Sequence, residues 1–185
     1  QEVHLDLDRA VAAAGLAAAA LDVEGEAARL VAAHLGVGRA RVQLREAFES
    51  SIVSAFQRLR RGPTPPAARE LNLLSDDDLE EQLASEQMVE SLSRRYAVSL
   101  EMLEQRIAVL ADRMALAAGD NPIGPVALGQ AMRDALATAE LTTSVRIALY
   151  KFTERELGTA VAPLYDRINA RLGEVGILPR LLPST

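Results

Sequence analysis

His4 and His34 are the only imidazoles in the chain, and the chemistry they would support is zinc-assisted hydrolysis or a histidine-centred triad. Neither finds its companions. A catalytic zinc needs three protein ligands and an open position, and a triad needs an acid to orient the ring. The two residues stand about thirty positions apart without an acidic partner in pattern, so they read as surface or capping residues. Lys151, the single lysine, would be an amine nucleophile if desolvated, but between Tyr150 and Phe152 it reads as an exposed cation beside core aromatics. Cysteine is absent, which excludes disulfides, iron–sulfur clusters and thiolate zinc sites.

Three further stretches carry charge or punctuation. Asp76, Asp77, Asp78, Glu80, Glu81, Glu86 and Glu90 form an acidic block, while Arg39, Arg41, Arg45, Arg58, Arg60 and Arg61 load the segment before it. The block lacks the turn, glycine and alternating oxygen ligands that wrap a hard cation, so no metal is assigned to it. Opposite charge on neighbouring helices suggests instead that the two segments dock on each other. Asp76, Asp77, Asp78, Glu80 and Glu81 with Arg58, Arg60 and Arg61 are the candidate interaction surface. Asp120-Asn121-Pro122-Ile123-Gly124-Pro125 is a rigid corner rather than a phosphate loop, since its prolines lack the N–H groups that such a pocket uses. Glu140 to Thr143 joins two helices, and a helix-turn-helix would place Ser144, Arg146 and Lys151 toward DNA. A net charge of −6 opposes a phosphate backbone, and nucleic acid is not an expected partner.

The elements that position these residues read as helices throughout. The chain has 185 residues, 49% hydrophobic and only 3% aromatic, so Leu, Ala, Val and Ile must fill the core, which suits close helix packing. Residues 5–21 and about 25–35 read as Ala-rich helices. From Arg39 to Arg61, Leu44, Phe48, Ile52, Phe56 and Leu59 recur at three and four residues and share one face. Gly62-Pro63-Thr64-Pro65-Pro66 ends that helix, because consecutive prolines remove donors and disfavour helix in the residue before each.

Ser75 then caps a helix whose first turn carries three aspartates. Leu79 to Met114 hold helical spacing without a Pro or Gly until Gly119, which predicts one long helix of about nine or ten turns; the alternative is a break near Ala97 to Ser99, which no residue there signals. Pro125 suits the first position of the next helix, which runs to about residue 140, and Thr142 or Thr143 caps the last segment. There, Gly158 and Pro163 predict one kinked helix or two. Glu174-Val175-Gly176-Ile177-Leu178-Pro179 reads as its end, with glycine left-handed, an apolar residue after it and a proline beyond. The longest apolar run, Ala10 to Leu21, is too short for a membrane span of about 20 residues.

The segment from Glu70 to Pro183 resembles the proteobacterial domain of unknown function DUF1631. The resemblance rests on Leu73 to Glu81, Arg94-Arg95-Tyr96, Gln105-Arg106, the Asn121 to Pro125 corner, Leu149-Tyr150-Lys151, Leu164-Tyr165-Asp166, Asn169, and Gly176 to Pro179. The family's usual Asn-Pro-Leu-Gly-Pro and Leu-Asn-Gln-Arg-Leu stand here with Ile123, Glu104 and Ile107. The resemblance implies a stretch of a larger cytoplasmic protein, and no catalytic residue to carry over. Some members bear the label thymidine phosphorylase, which would need a large α/β enzyme with nucleoside and phosphate sites; the helical pattern here does not support it.

The expected fold is all-α, an antiparallel bundle of about six or seven helices with one long central helix. Residues 1–61 form an N-terminal helical unit, 62–74 a proline-rich linker, 75–179 the core, and 180–185 a tail. The expected function is a noncatalytic interaction or scaffold module that binds protein or itself in bacterial signalling, with no cofactor. Two other readings stand beside it: a small-ligand sensor, with a cyclic dinucleotide as the test case, and part of a hydrolase or metal enzyme.

Overall fold

Ser75 opens the second helix by a reciprocal cap. Its hydroxyl accepts from the Asp78 amide at 3.2 Å while the Asp78 carboxylate accepts from the Ser75 amide at 3.3 Å, satisfying two of the donors a helix start leaves free. The computed structural model describes residues 37–62, 75–117 and 119–180. They form α1 (Val37–Arg61), α2 (Asp76–Arg95), α3 (Ala97–Leu110), α4 (Pro125–Ala137) and α5 (Thr143–Glu174). Among the described residues the fold is therefore all-helical, with five helices. The helices expected over 5–21 and 25–35, and most of the proline-rich stretch, lie outside the described residues.

The single long helix expected from Leu79 to Met114 is corrected. It divides at Tyr96, whose ψ of 19° leaves the helical region, into α2 of 20 residues and α3 of 14. No glycine or proline marks the break; tertiary contacts hold it. The Tyr96 ring stands edge-on to Tyr165 with centroids 5.9 Å apart, and its hydroxyl donates to the Gly158 carbonyl on α5. Downstream, α3 stops nine residues before Gly119, the only stop signal in the sequence there. The Arg113 amide returns to the Ala108 carbonyl and the Asp112 amide to that of Val109, a Schellman closure in which Asp112 takes the left-handed position at φ 54°. Aspartate tolerates that conformation better than most residues, but it is a weak sequence signal.

The far end follows expectation. Gly176 is left-handed at φ 87°, and the Ile177 amide bonds to the Leu172 carbonyl. Thr142 occupies the cap of α5, though its side chain makes no capping bond. Between these ends α5 is one helix of 32 residues, not two, with Pro163 inside it. Pro163 and Thr159 are both exposed, so the carbonyl of Thr159 that proline leaves unbonded can meet water.

Helix directions follow from the contacts. Ser85 meets Arg133, and Val89 lies against Gly129, so α2 and α4 are antiparallel. Glu81 meets Arg146, Tyr96 meets Gly158, and Arg106 meets Asn169, so α5 runs parallel to α2 and α3 along the length of both. Ser51 pairs with Asp134 while Phe56 and Leu59 lie near Pro122, which sets α1 antiparallel to α4. The expected antiparallel bundle thus holds only for α4, which runs against α1, α2 and α5; the others share one direction.

Helix α4 is the centre. Ala127, Leu128, Ala131, Met132, Ala135 and Leu136 are all buried. Small residues let neighbours approach: a Cβ built on Gly129 would stand 2.6 Å from a Val89 methyl. Phe48, Ile52 and Phe56 of α1 join the same core as Met88, Leu103 and Leu136. No helix among the described residues is long and apolar enough to cross a membrane.

Candidate functional site

The acidic residues at the start of α2 divide into those that the fold uses and those that it leaves exposed. Asp78 is committed to the cap, and the Ser75 hydroxyl, then the Ser75 amide, hold its pKa below the ordinary aspartate value. Glu81 pairs with Arg146 of α5 at 3.2 Å, where both side chains are mostly buried. Asp76, Asp77 and Glu80 remain exposed, and among the described residues no ion pair engages them. Leu79 and Leu83 are also exposed, at 47% and 49%. At 100° per residue, Asp76, Leu79, Glu80 and Leu83 share one stripe of the helix. Because Glu81 holds Arg146, the helix-turn-helix reading loses one of its two cations.

Arg58, Arg60 and Arg61 are exposed on the last turns of α1. They do not meet the acidic block, so the docking expected between the two charged segments is corrected. The start of α2 lies beside the start of α5, whereas the end of α1 lies beside the start of α4. The length of α4, 13 residues or about 20 Å, separates the two ends. The physical reason is direction: α1 and α2 both run against α4, so the end of one and the beginning of the other cannot be adjacent. Next to the arginines is a groove of about 290 Å³, walled by Phe56, Leu59, Ile107 and Leu110, with Pro122 and Arg60 also lining it.

The Asp120 to Pro125 corner is interior. Asn121, Pro122, Ile123, Gly124 and Pro125 are all buried. The Asn121 carboxamide oxygen accepts from the Ile123 amide at 3.2 Å, and the Gly124 amide bonds to the Asn121 carbonyl at 3.0 Å. A Cβ on Gly124 would crowd the buried Asn121 side chain at 3.1 Å. Arg113 pairs with Asp120 at 2.7 Å and donates to the Leu59 carbonyl at 3.0 Å, tying the corner to the end of α1.

Residues that carried the family resemblance make long-range contacts, one of them to this corner. The Tyr165 hydroxyl donates to the Ile123 carbonyl at 2.8 Å. Arg106 donates to the Asn169 carboxamide oxygen at 2.6 Å, and Asn169 donates to the Ser99 carbonyl at 2.9 Å. Their work here is to hold α3, α5 and the corner in register, and sequence reasoning had no signal for which of them touch.

Burial raises the phenol pKa of both Tyr150 and Tyr165 above its ordinary value, with the Glu81 charge adding to the rise at Tyr150 and the Glu104 charge at Tyr165. The unfolded chain ionises near pH 10, ahead of the native one, so these phenols add stability below that pH and lose it as pH rises further. Alkaline titration followed by tyrosine absorbance should show the two phenols ionising with unfolding, not before it.

For other chemistry, no group of three or more His, Asp or Glu among the described residues is placed to hold a metal ion. Lys151 is exposed, and His4 and His34 lie outside the described residues.

A family model described as "Protein of unknown function (DUF1631) N-terminal domain" matches residues 15–176. The match reaches well before Glu70, where the resemblance read from the sequence began. No curated protein and no solved structure matches the chain.

Proposed function

We propose that this chain, which belongs to the DUF1631 family over residues 15–176, is a noncatalytic protein-interaction or scaffold module of a larger cytoplasmic bacterial regulatory protein. The observation that carries the reading is the exposed stripe of Asp76, Leu79, Glu80 and Leu83. Leucines left in water beside unpaired carboxylates can supply apolar contact for affinity and charge that steers approach. The opposite end, with Arg58, Arg60 and Arg61 beside an apolar groove, has the same character with reversed sign.

The groove's volume of about 290 Å³ lies at the floor of the range for small-molecule pockets, roughly 300–1,000 Å³. That favours an inserted side chain over a bound dinucleotide. Affinity capture with the full-length protein, compared with a version whose Asp76, Asp77, Glu80, Leu79 and Leu83 are replaced by serine, tests the reading. Loss of a defined set of protein partners is expected; identical partner sets would overturn it.

A further inference from the structure

We propose that the groove at the end of α1 receives the acidic, leucine-bearing first turns of α2 from a second copy of this chain, so that copies associate head to tail. The proposal deepens the interaction reading and rests on it. Both halves of the contact are present on one molecule, at opposite ends of α4. Arg60 and Asp112 balance within the lining, and the excess positive charge comes from Arg58 and Arg61 on the same last turns of α1. The stripe on α2 carries the matching anions, Asp76 and Glu80, around Leu79 and Leu83, with Asp77 alongside.

Within one molecule the two cannot meet, because the length of α4 lies between them. Between molecules they can, and the geometry is heterologous: each copy offers its acidic end to one neighbour and its groove to another. Such contacts propagate into open chains or close into rings, rather than stopping at a symmetric pair. Leu79 and Leu83, exposed in the monomer, would leave water by entering the groove against the partly exposed Leu59 and Leu110, and the surrounding ion pairs would make the contact weaken with salt.

The test uses the whole 185-residue chain in sedimentation velocity over a concentration series at low and high salt. One variant reverses the basic end (Arg60→Glu with Arg61→Glu), and the other reverses the acidic end (Asp77→Arg with Glu80→Arg). All four positions are exposed, and circular dichroism checks that each variant keeps its helices. Wild type should form species larger than a dimer that grow with concentration and fall apart at high salt. Each variant alone should associate at least about tenfold more weakly. An equimolar mixture of the two should regain growth, because each supplies the unmodified end that the other lacks and the two reversed faces, an acidic groove and a basic helix start, attract each other. If a reversal disturbs the fold, Leu79→Ser with Leu83→Ser replaces the acidic-end variant, and its mixture with the basic-end variant should give one dimer that does not grow, because the acidic helix start it keeps repels the reversed groove. A wild type that stays monomeric, a wild type that stops at two, or a mixture that stays monomeric each overturns the head-to-tail contact. Those results leave the protein-binding reading to its affinity-capture test, so the two fail separately.

Discussion

Arg106→Met is expected to lower the unfolding free energy by about 3 kcal/mol, measured by urea denaturation followed by far-ultraviolet circular dichroism. Arg106 is only 6% exposed, yet among the described residues it has no carboxylate partner. Its guanidinium instead donates to the Asn169 carboxamide oxygen at 2.6 Å, the Ile177 carbonyl at 3.3 Å and the Leu178 carbonyl at 3.2 Å. The latter two follow the last turn of α5, where a helix ends with unbonded carbonyls and partial negative charge. Burial pulls the guanidinium pKa below its ordinary value, so this cation costs something to place. Methionine keeps much of the length and removes every donor, leaving the buried Asn169 oxygen unpaired and losing the charged hydrogen bonds to the Ile177 and Leu178 carbonyls, which water can partly replace. Arg106→Lys should fall between, since one ammonium cannot present the planar fork. A methionine variant within about 0.5 kcal/mol of wild type would mean that water replaces the guanidinium without loss, and the capping role would be wrong.

Phe48→Ala is expected to cost about 3–5 kcal/mol and to leave a single unfolding transition. Phe48 on α1 is 2% exposed within the core that also holds Leu136 and Leu103. Against a total stability of about 5–15 kcal/mol for a domain of ordinary size, the loss brings the protein close to unfolding at moderate temperature. Val53→Ala, on the exposed side of the same helix, should stay within about 0.5 kcal/mol and serves as the control. Two separate transitions in the Phe48 variant, with the later one unchanged, would show that α1 folds apart from α2–α5.

Much of the fold was legible because it is written in local chemistry. Helical spacing at Phe48, Ile52 and Phe56 marked the buried face of α1. Ser75 with Asp78, Pro125 after Gly124, and Gly176 before Ile177 each marked an end where the structure has one. The failures share a cause. The break at Tyr96 and the left-handed Asp112 lack the glycine or proline that announces such places. At Tyr96 the partners are Gly158 and Tyr165, more than sixty positions away, so no window of neighbouring residues contains the reason.

The candidate surface divides the same way. Composition and order alone located an acidic segment and a basic one, but helical periodicity counted Leu79 and Leu83 with the apolar face, and only the structure shows them exposed beside the acids. Whether the two segments meet depends on the direction in which α1 and α2 cross α4, and only the packed structure decides it. Side-chain pattern records which face of a helix is buried, because burial is read residue by residue at 100° intervals. Apolar faces are nearly indifferent to direction, since the hydrophobic effect rewards area removed from water and not the sense of the chain. The sequence by itself therefore determined helices, the buried face of α1 and several helix ends, whereas Leu79 and Leu83, on the periodic face read for the next helix, are exposed in the structure. Parallel α2 and α5, the charges at opposite ends, and the burial of the Asn121 to Pro125 corner were decided by tertiary contacts between residues far apart in the chain.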